Sequence, residues 1–372
     1  MSKKVKVLFL IHDLGHGGAE KVLVNLVNNM DKTKFDITIM SLFGGGVNEA
    51  YIREGVRYKI VFKKSFRGNS KILKLFSPRF LHRKFIKEKY DIEVSYLEGP
   101  SARIISGCPH EDVKLVSWIH VEQHKKRIGS VAFRGYGEAQ RCYAKFHKII
   151  CVSEGVKQDF SVLFPMLSNI EVLYNTNETK RIFSMKENSV EDGLFVDNEI
   201  KLCGVGRLIP IKGFDRMARI QKRLKEDGYP THFYILGVGP EQERIEKYLQ
   251  DNNLSDSFTF LGYQTNPYKY VSKCDVFVCA SSAEGFSTAA TEALIVGTPV
   301  VTTVVAGMRE MLGENEYGMI TENNEEALYR GIRKLLDDPR LLAHYKNQAV
   351  KRGGDFITEN TVKAVENMLE NL

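Results

Sequence analysis

The sequence predicts an α/β protein of two facing, Rossmann-like domains, each a doubly wound parallel sheet with helices on both faces. Three observations carry this. Short apolar, β-branched runs alternate with amphipathic stretches along nearly the whole chain, the pattern of parallel strands joined by crossover helices. The series stops at one polar stretch and then restarts. At 372 residues the chain is long enough for two domains of ordinary size.

Strands are predicted at residues 5–11, 36–42, 91–97, 114–120, 148–152 and 170–174. The first lies behind a basic start and briefly imitates a leader peptide. Its apolar stretch is short, and His12-Asp13 follows in place of a small-residue cleavage site. It reads as a strand. A helix over 19–30 comes next, with Ala19, Val22, Leu23, Leu26, Val27 and Met30 on one face. The polar stretch 175–198 divides the two series. Strands then resume at 201–206, 232–236, 257–261, 275–280, 298–302 and 318–321. The domains are accordingly 1–175 and 176–355, with 356–372 a final helix packing back toward the first domain. Doubly wound sheets bind ligands outside the carboxyl ends of their strands, so a site is expected in the cleft between the two domains.

Composition narrows the class. Hydrophobic residues at 43% and charged residues at 27% exclude a disordered or fibrous chain. No apolar run reaches the roughly 18 residues of a membrane span. Six cysteines form no CxxC pair and lie mostly in apolar runs, as buried thiols of a reducing compartment do. A cytoplasmic location follows as an expectation. The net charge of +7 is uneven: residues 1–181 hold 31 Lys+Arg against 18 Asp+Glu, and the remainder holds 22 against 28. Between Arg57 and Lys89 twelve basic residues meet one acid, Glu88, with Phe62, Phe66, Ile72, Leu73, Leu75, Phe76, Phe80, Leu81 and Phe85 interleaved. A charge run is often just a solvated face. Cationic and apolar residues mixed in this way fit an anionic surface, so residues 57–89 are expected to touch a membrane leaflet.

Several motifs are missing. The chain has no GxxxxGK[ST] loop, HExxH, GxSxG or GxGxxG, and no DxD triplet to clamp a metal–diphosphate. Gly237-Val-Gly239 opens like a dinucleotide fingerprint, but Gln242 stands where the third glycine belongs. The nine histidines are scattered, and no metal cluster is evident in the spacing.

Three segments carry chemistry. Gly15-His-Gly17-Gly18-Ala-Glu20 follows the first strand and opens a helix. Such glycines either make a tight turn or let backbone N–H groups approach an anion at the positive helix end. The second series opens alike: Gly204-Val-Gly206-Arg207 ends a strand, and Lys212-Gly213 precedes a helix. The planar fork of Arg207 and the point charge of Lys212 together suit a diphosphate. The third segment is the most specific, with Glu284 in a loop and Glu292 eight residues on, two turns into the following helix. Between them the backbone of Phe286, Ser287 and Thr288 offers N–H groups at the helix start. Carboxylates accept well from paired sugar hydroxyls.

Gly17-Gly18-Ala-Glu20, Gly206-Arg207…Lys212-Gly213 and Glu284-x7-Glu292, in this order and spacing, resemble the retaining glycosyltransferases of GT-B family four (glycosyl transferases group 1). The similarity runs over essentially the whole chain and includes a resemblance to enzymes of bacterial capsule and exopolysaccharide synthesis. It implies that Arg207 and Lys212 bind the donor diphosphate and Glu292 the ribose hydroxyls. Glu284 would contact the donor sugar, helped by Phe286, Ser287 and Thr288. The Gly17–Gly18 loop would close over phosphates or acceptor, and His120 would stand beside the donor sugar. Tyr263, in Leu261-Gly262-Tyr263, resembles the residue that meets the base. Ser287-Thr288 replaces the commoner Pro-Leu, and Gly307-Met-Arg-Glu310 replaces a double glycine, so donor identity is where this chain departs from the pattern.

The resemblance implies a metal-independent hexosyltransferase needing no cofactor beyond its nucleotide-sugar donor, UDP-linked in most relatives. The acceptor would be a saccharide on a polyprenyl diphosphate, met at the inner face of the cell membrane. Two rivals stand beside it. A nucleotide-sugar epimerase or phosphorylase would share the scaffold but turn over without a sugar acceptor or require phosphate. A nucleic-acid-binding protein would use the basic half, but no nucleic-acid module is present and the acidic second half interrupts any continuous basic track.

Overall fold

The computed structural model describes residues 3–66, 68–190, 193–195 and 198–372. The chain forms two units. One runs to Thr176 and regains Thr358–Leu372; the other is Asn177–Ile357.

The first unit holds seven parallel strands: β1 (Val5–Ile11), β2 (Phe35–Phe43), β3 (Val56–Phe62), β4 (Ile92–Ser95), β5 (Lys114–Ile119), β6 (Lys148–Cys151) and β7 (Ile170–Val172). Their order is β3-β2-β1-β4-β5-β6-β7, with Leu8 opposite Thr38 on one side and Glu93 on the other. Val7 to Ile11 are wholly buried, as expected of a central strand covered on both faces. The sequence pattern predicts no strand at β3, where the residues from Arg57 on read as part of a basic run. The physical reason is its edge position: Arg57 and Lys59 alternate outward and pair with Asp36 and Glu88 at 3.2 and 2.5 Å, so charge masks the strand alternation. The helix Thr358–Glu370 buries Val362, Val365, Met368 and Leu369. Glu366 accepts from the backbone of Asp31, and Glu370 pairs with Lys34 at 2.8 Å.

The second unit has β8 (Ile200–Val205), β9 (Thr231–Leu236), β10 (Phe258–Gly262), β11 (Val276–Cys279), β12 (Val300–Thr303) and β13 (Met319–Thr321), in the order β10-β9-β8-β11-β12-β13. Leu202, Phe233, Val276 and Val278 meet Ile220, Leu224, Leu328 and Ile332 in its core. The polar stretch before β8 is partly helical, over Thr179–Lys186, with Ile182 buried. Asn266 donates to the carbonyl of Met185 at 2.8 Å. One apolar anchor among polar neighbours is too weak a periodic signal to read from sequence.

In both sheets the strand order reverses once, between β1 and β4 and between β8 and β11. Connections diverge to opposite faces there and leave a crevice at the carboxyl ends, the usual ligand position of doubly wound sheets. Among the described residues no helix is long and apolar enough to cross a membrane.

Candidate functional site

In the second unit the chain leaves β8 through Gly206 and Arg207, which is exposed. Residues Pro210–Lys212 make one tight 3-10 turn, and Gly213 follows with φ +68°. A Cβ on Gly213 would lie 2.2 Å from the carbonyl oxygen of Ala280, at the end of β11. Only glycine allows that approach. It brings Lys212 against the loop after β11, where Nζ lies 2.6 Å from Oε1 of Glu284. The hydroxyl of Ser281 donates to the same oxygen at 2.6 Å, and Ser282 N donates to Ile211 O at 2.8 Å. The turn and the loop are thus stitched together.

Ser287 caps the helix Thr288–Val296, its hydroxyl accepting from Ala290 N at 3.3 Å. The first-turn N–H groups of such a helix lack carbonyl partners and carry its positive dipole end. Phe286 is buried beside the cap. Glu292 is the fifth residue of this helix, so it stands little more than one turn in, where the spacing had suggested two. The loop after β11 runs on to Ser287 before the helix begins, which uses up the difference. Glu292 is buried and accepts from the Tyr268 hydroxyl at 3.2 Å. Strand ends β8, β9 and β10 converge: a Cβ on Gly237 would meet Gly206 O at 1.9 Å, and Gly237 N donates to Gly262 O at 2.7 Å. Tyr263, half exposed, follows directly.

In the first unit the loop after β1 is braced from below. Gly15 N donates to Oδ1 of Asp13 at 2.8 Å, Asn48 N donates to Leu14 O at 2.9 Å, and the Asn48 amide reaches Gly15 O. Gly17 precedes the helix Gly18–Asn29 and offers no capping side chain, so the backbone of Gly17 and Gly18 is presented at a helix start. His120 ends β5. It is buried, its ring centroid lies 4.9 Å from that of Tyr96, and Nε2 has no hydrogen-bond partner among the described residues. Burial pushes its pKa down to about 3, so the ring is a neutral imidazole at physiological pH. Its backbone N donates to Oε2 of Glu98 at 3.0 Å. Burial raises the Glu98 carboxyl above its ordinary range, the His120 N–H works against that, and Glu20 adds like charge.

The expected residues stand beyond the carboxyl ends of strands in both units. In the second unit Lys212 meets Glu284, Arg207 follows β8, Phe286, Ser287, Thr288 and Glu292 lie on the loop and helix after β11, and Tyr263 follows the edge strand β10. Gly17, Gly18 and His120 stand at the strand ends of the first. Glu98 escaped the sequence reading; an acid directly after a strand and before Gly99-Pro100 was the available signal. Two cations and a helix N-terminus can hold an anion, and a buried carboxylate behind them can accept from hydroxyls.

A model described as Glycosyltransferase Family 4 matches residues 16–181, and one described as Glycosyl transferases group 1 matches residues 185–352. The chain is 29% identical over 364 residues to an N-acetylgalactosamine-N,N'-diacetylbacillosaminyl-diphospho-undecaprenol 4-alpha-N-acetylgalactosaminyltransferase of Campylobacter jejuni, covering 94% of this chain and 95% of that protein. It is 23% identical over 300 residues to a poly(ribitol-phosphate) alpha-N-acetylglucosaminyltransferase of Staphylococcus aureus, covering 79% and 57%. Among solved structures, Anabaena HepE in complex with UDP-glucose superposes with a TM-score of 0.80 at 17% identity, covering 99% of this chain and all of that one. The two parallel-sheet units are those of the GT-B fold.

Proposed function

The chain belongs to the glycosyltransferases, family 4 in its first unit and group 1 in its second, and from that membership we propose that it moves a hexose-type sugar, with retention, from a UDP-sugar to a lipid-linked saccharide. The carrying observation is the strand-end cluster of Arg207, Lys212 and the Ser287-capped helix, tied to the sugar-side carboxylate by the 2.6 Å contact of Lys212 with Glu284.

In the proposed reaction the anomeric C–O bond to the diphosphate breaks and negative charge grows on the departing phosphate oxygen. Arg207, Lys212 and the N–H groups at Thr288 stabilise that charge as it develops. No metal is assigned a part, because the two side-chain cations supply the positive charge. The acceptor hydroxyl attacks on the same face, a new C–O bond forms, and its proton passes to the departing phosphate. Glu292 takes the ribose hydroxyls and Tyr263 meets the base. Glu284, with Phe286 and Ser287, and His120 through its open Nε2, orient the sugar. Gly17 and Gly18 present backbone donors to phosphate or acceptor.

For the acceptor, the Campylobacter relative names a diphospho-undecaprenol saccharide, and this reading extends to a polyprenyl-diphosphate saccharide here. The helices Asn69–Leu75 and Pro78–Phe85 support it. Ile72, Leu75, Phe76 and Phe80 are exposed among Lys71, Lys74, Arg79 and Lys84, and Leu75 is 74% accessible. Cations around protruding apolar side chains suit an anionic leaflet. The protein would then sit peripherally on the inner face of the membrane and extend a capsule or exopolysaccharide repeat.

Thermal shift against UDP, GDP and ADP tests the donor site on wild type and Lys212→Ala. A rise in Tm with UDP, lost in the variant, is expected. A rise with GDP or ADP alone overturns the UDP assignment, and no rise with any nucleotide overturns the donor site.

A further inference from the structure

Below the strand ends, the first unit gathers His82, Glu93 and Cys108 from three separate elements. His82 lies on the helix Pro78–Phe85, Glu93 on β4, and Cys108 just beyond the helix Pro100–Ile105. One ligand atom from each falls within 4.8 Å of the other two. Nε2 of His82 is 2.7 Å from Oε2 of Glu93, with side chains 4% and 1% exposed. Cys108 is partly buried and unpaired with any other cysteine. A carboxylate this deeply buried is costly unless charge and hydrogen bonds satisfy it, and the side chains turned to it are the His82 imidazole and the Cys108 thiol.

We infer that His82, Glu93 and Cys108 form a binding site for one zinc-class divalent cation, held through Nε2, a carboxylate oxygen and Sγ. The donor set chooses the ion. Calcium and magnesium take oxygen ligands, whereas one nitrogen, one oxygen and one sulfur suit borderline-soft zinc or cobalt. Bonds of about 2.0–2.3 Å place tetrahedral donors roughly 3.3–3.8 Å apart. The His82–Glu93 pair must open by about 0.6 Å from 2.7 Å, and Sγ starts within 4.8 Å. Carboxylate and thiolate then balance the divalent charge, and the thiol proton leaves to solvent. Three protein ligands leave the fourth position to water on the partly exposed side of Cys108.

The ion has a structural part. Glu93 is the second residue of β4, and Glu98 lies in the turn beyond the strand's other end, so the cluster stands apart from the strand-end groups. It would pin the helix carrying Phe80 to β4 and to the end of the helix Pro100–Ile105.

Cobalt(II) titration of the untagged, chelator-treated full chain tests this. One equivalent should give a thiolate-to-cobalt charge-transfer band with tetrahedral ligand-field absorption, zinc(II) should bleach both, and zinc should raise Tm. Cys108→Ser should abolish the charge-transfer band, weaken cobalt binding more than roughly tenfold and remove the zinc-dependent rise. A charge-transfer band that survives in Cys108→Ser, or none in wild type, overturns the site. His82→Gln is the second variant; unchanged cobalt affinity in it overturns the assignment even if Cys108→Ser does not fold.

Discussion

Nζ of Lys212 and the hydroxyl of Ser281 both lie 2.6 Å from one oxygen, Oε1 of Glu284. The ammonium assigned to the diphosphate is held in advance by the carboxylate assigned to the sugar. An arriving diphosphate must therefore draw Lys212 partly away from Glu284, which frees that carboxylate for the sugar hydroxyls.

Lys212→Ala should lower kcat/KM by at least tenfold, since a charge-assisted contact is worth about 1.5–3 kcal/mol. Glu284→Gln should separate two effects: UDP alone binds more tightly because Lys212 is released, while sugar transfer slows. Calorimetry with UDP and a transfer assay measure both, and weaker UDP binding in Glu284→Gln contradicts the shared-oxygen account.

His120 yields a stability prediction with a definite sign. Its pKa is near 3 in the folded chain and about 6.5 when unfolded. Between those values the unfolded state binds a proton that the folded state refuses, so the His120 contribution is complete above pH 6.5 and declines as pH falls. Glu98, raised by burial, acts in the opposite direction above its ordinary range, so wild type must be compared with His120→Gln. The difference in unfolding free energy should shrink by about 1.4 kcal/mol per pH unit below 6.5. A pH-independent difference refutes a neutral, buried ring.

Arg103 should dominate the stability of the first unit's helical face. It is 1% exposed, forks onto Glu138 at 3.0 Å through Nε and Nη2, and donates to the carbonyls of Leu73 and Phe76 at 2.9 and 2.7 Å. Arg103→Met strips Glu138 of its guanidinium, leaving it the Arg134 backbone N–H, and takes a donor from the carbonyls of Leu73 and Phe76, at a cost of about 3–5 kcal/mol in urea unfolding. Adding Glu138→Gln should recover part of the loss.

Leu75→Glu with Phe80→Glu should reduce retention on anionic liposomes at low salt and lower Tm only slightly, because Leu75 is 74% accessible and half-exposed Phe80 gives up little beyond its stacking on Phe76. Retention equal to wild type would detach the acceptor reading from this face.

The parts of the fold legible in sequence were those whose periodicity reports burial. β1, with five consecutive buried residues, and the helix Gly18–Asn29 announce themselves. β3 did not, because an edge strand shows its charged side outward, and Thr179–Lys186 did not, because one buried isoleucine makes no pattern. At the site, glycines and charges fixed by short loops could be read locally: Arg207, Lys212 and Glu284 lie where their strands end. Glu98 could not, since its relation to His120 depends on β4 and β5 becoming neighbours. The His82, Glu93 and Cys108 cluster likewise exists only after three elements pack.

The last helix, Thr358–Glu370, belongs to the unit that begins the chain. During synthesis, residues 177–357 emerge from the ribosome as an uninterrupted stretch and can finish folding first. The earlier unit waits with the seat of Val362, Val365, Met368 and Leu369 open until that helix has been made. A nascent chain stalled before residue 358 should therefore expose that surface to chaperones, even though it already contains both complete sheets.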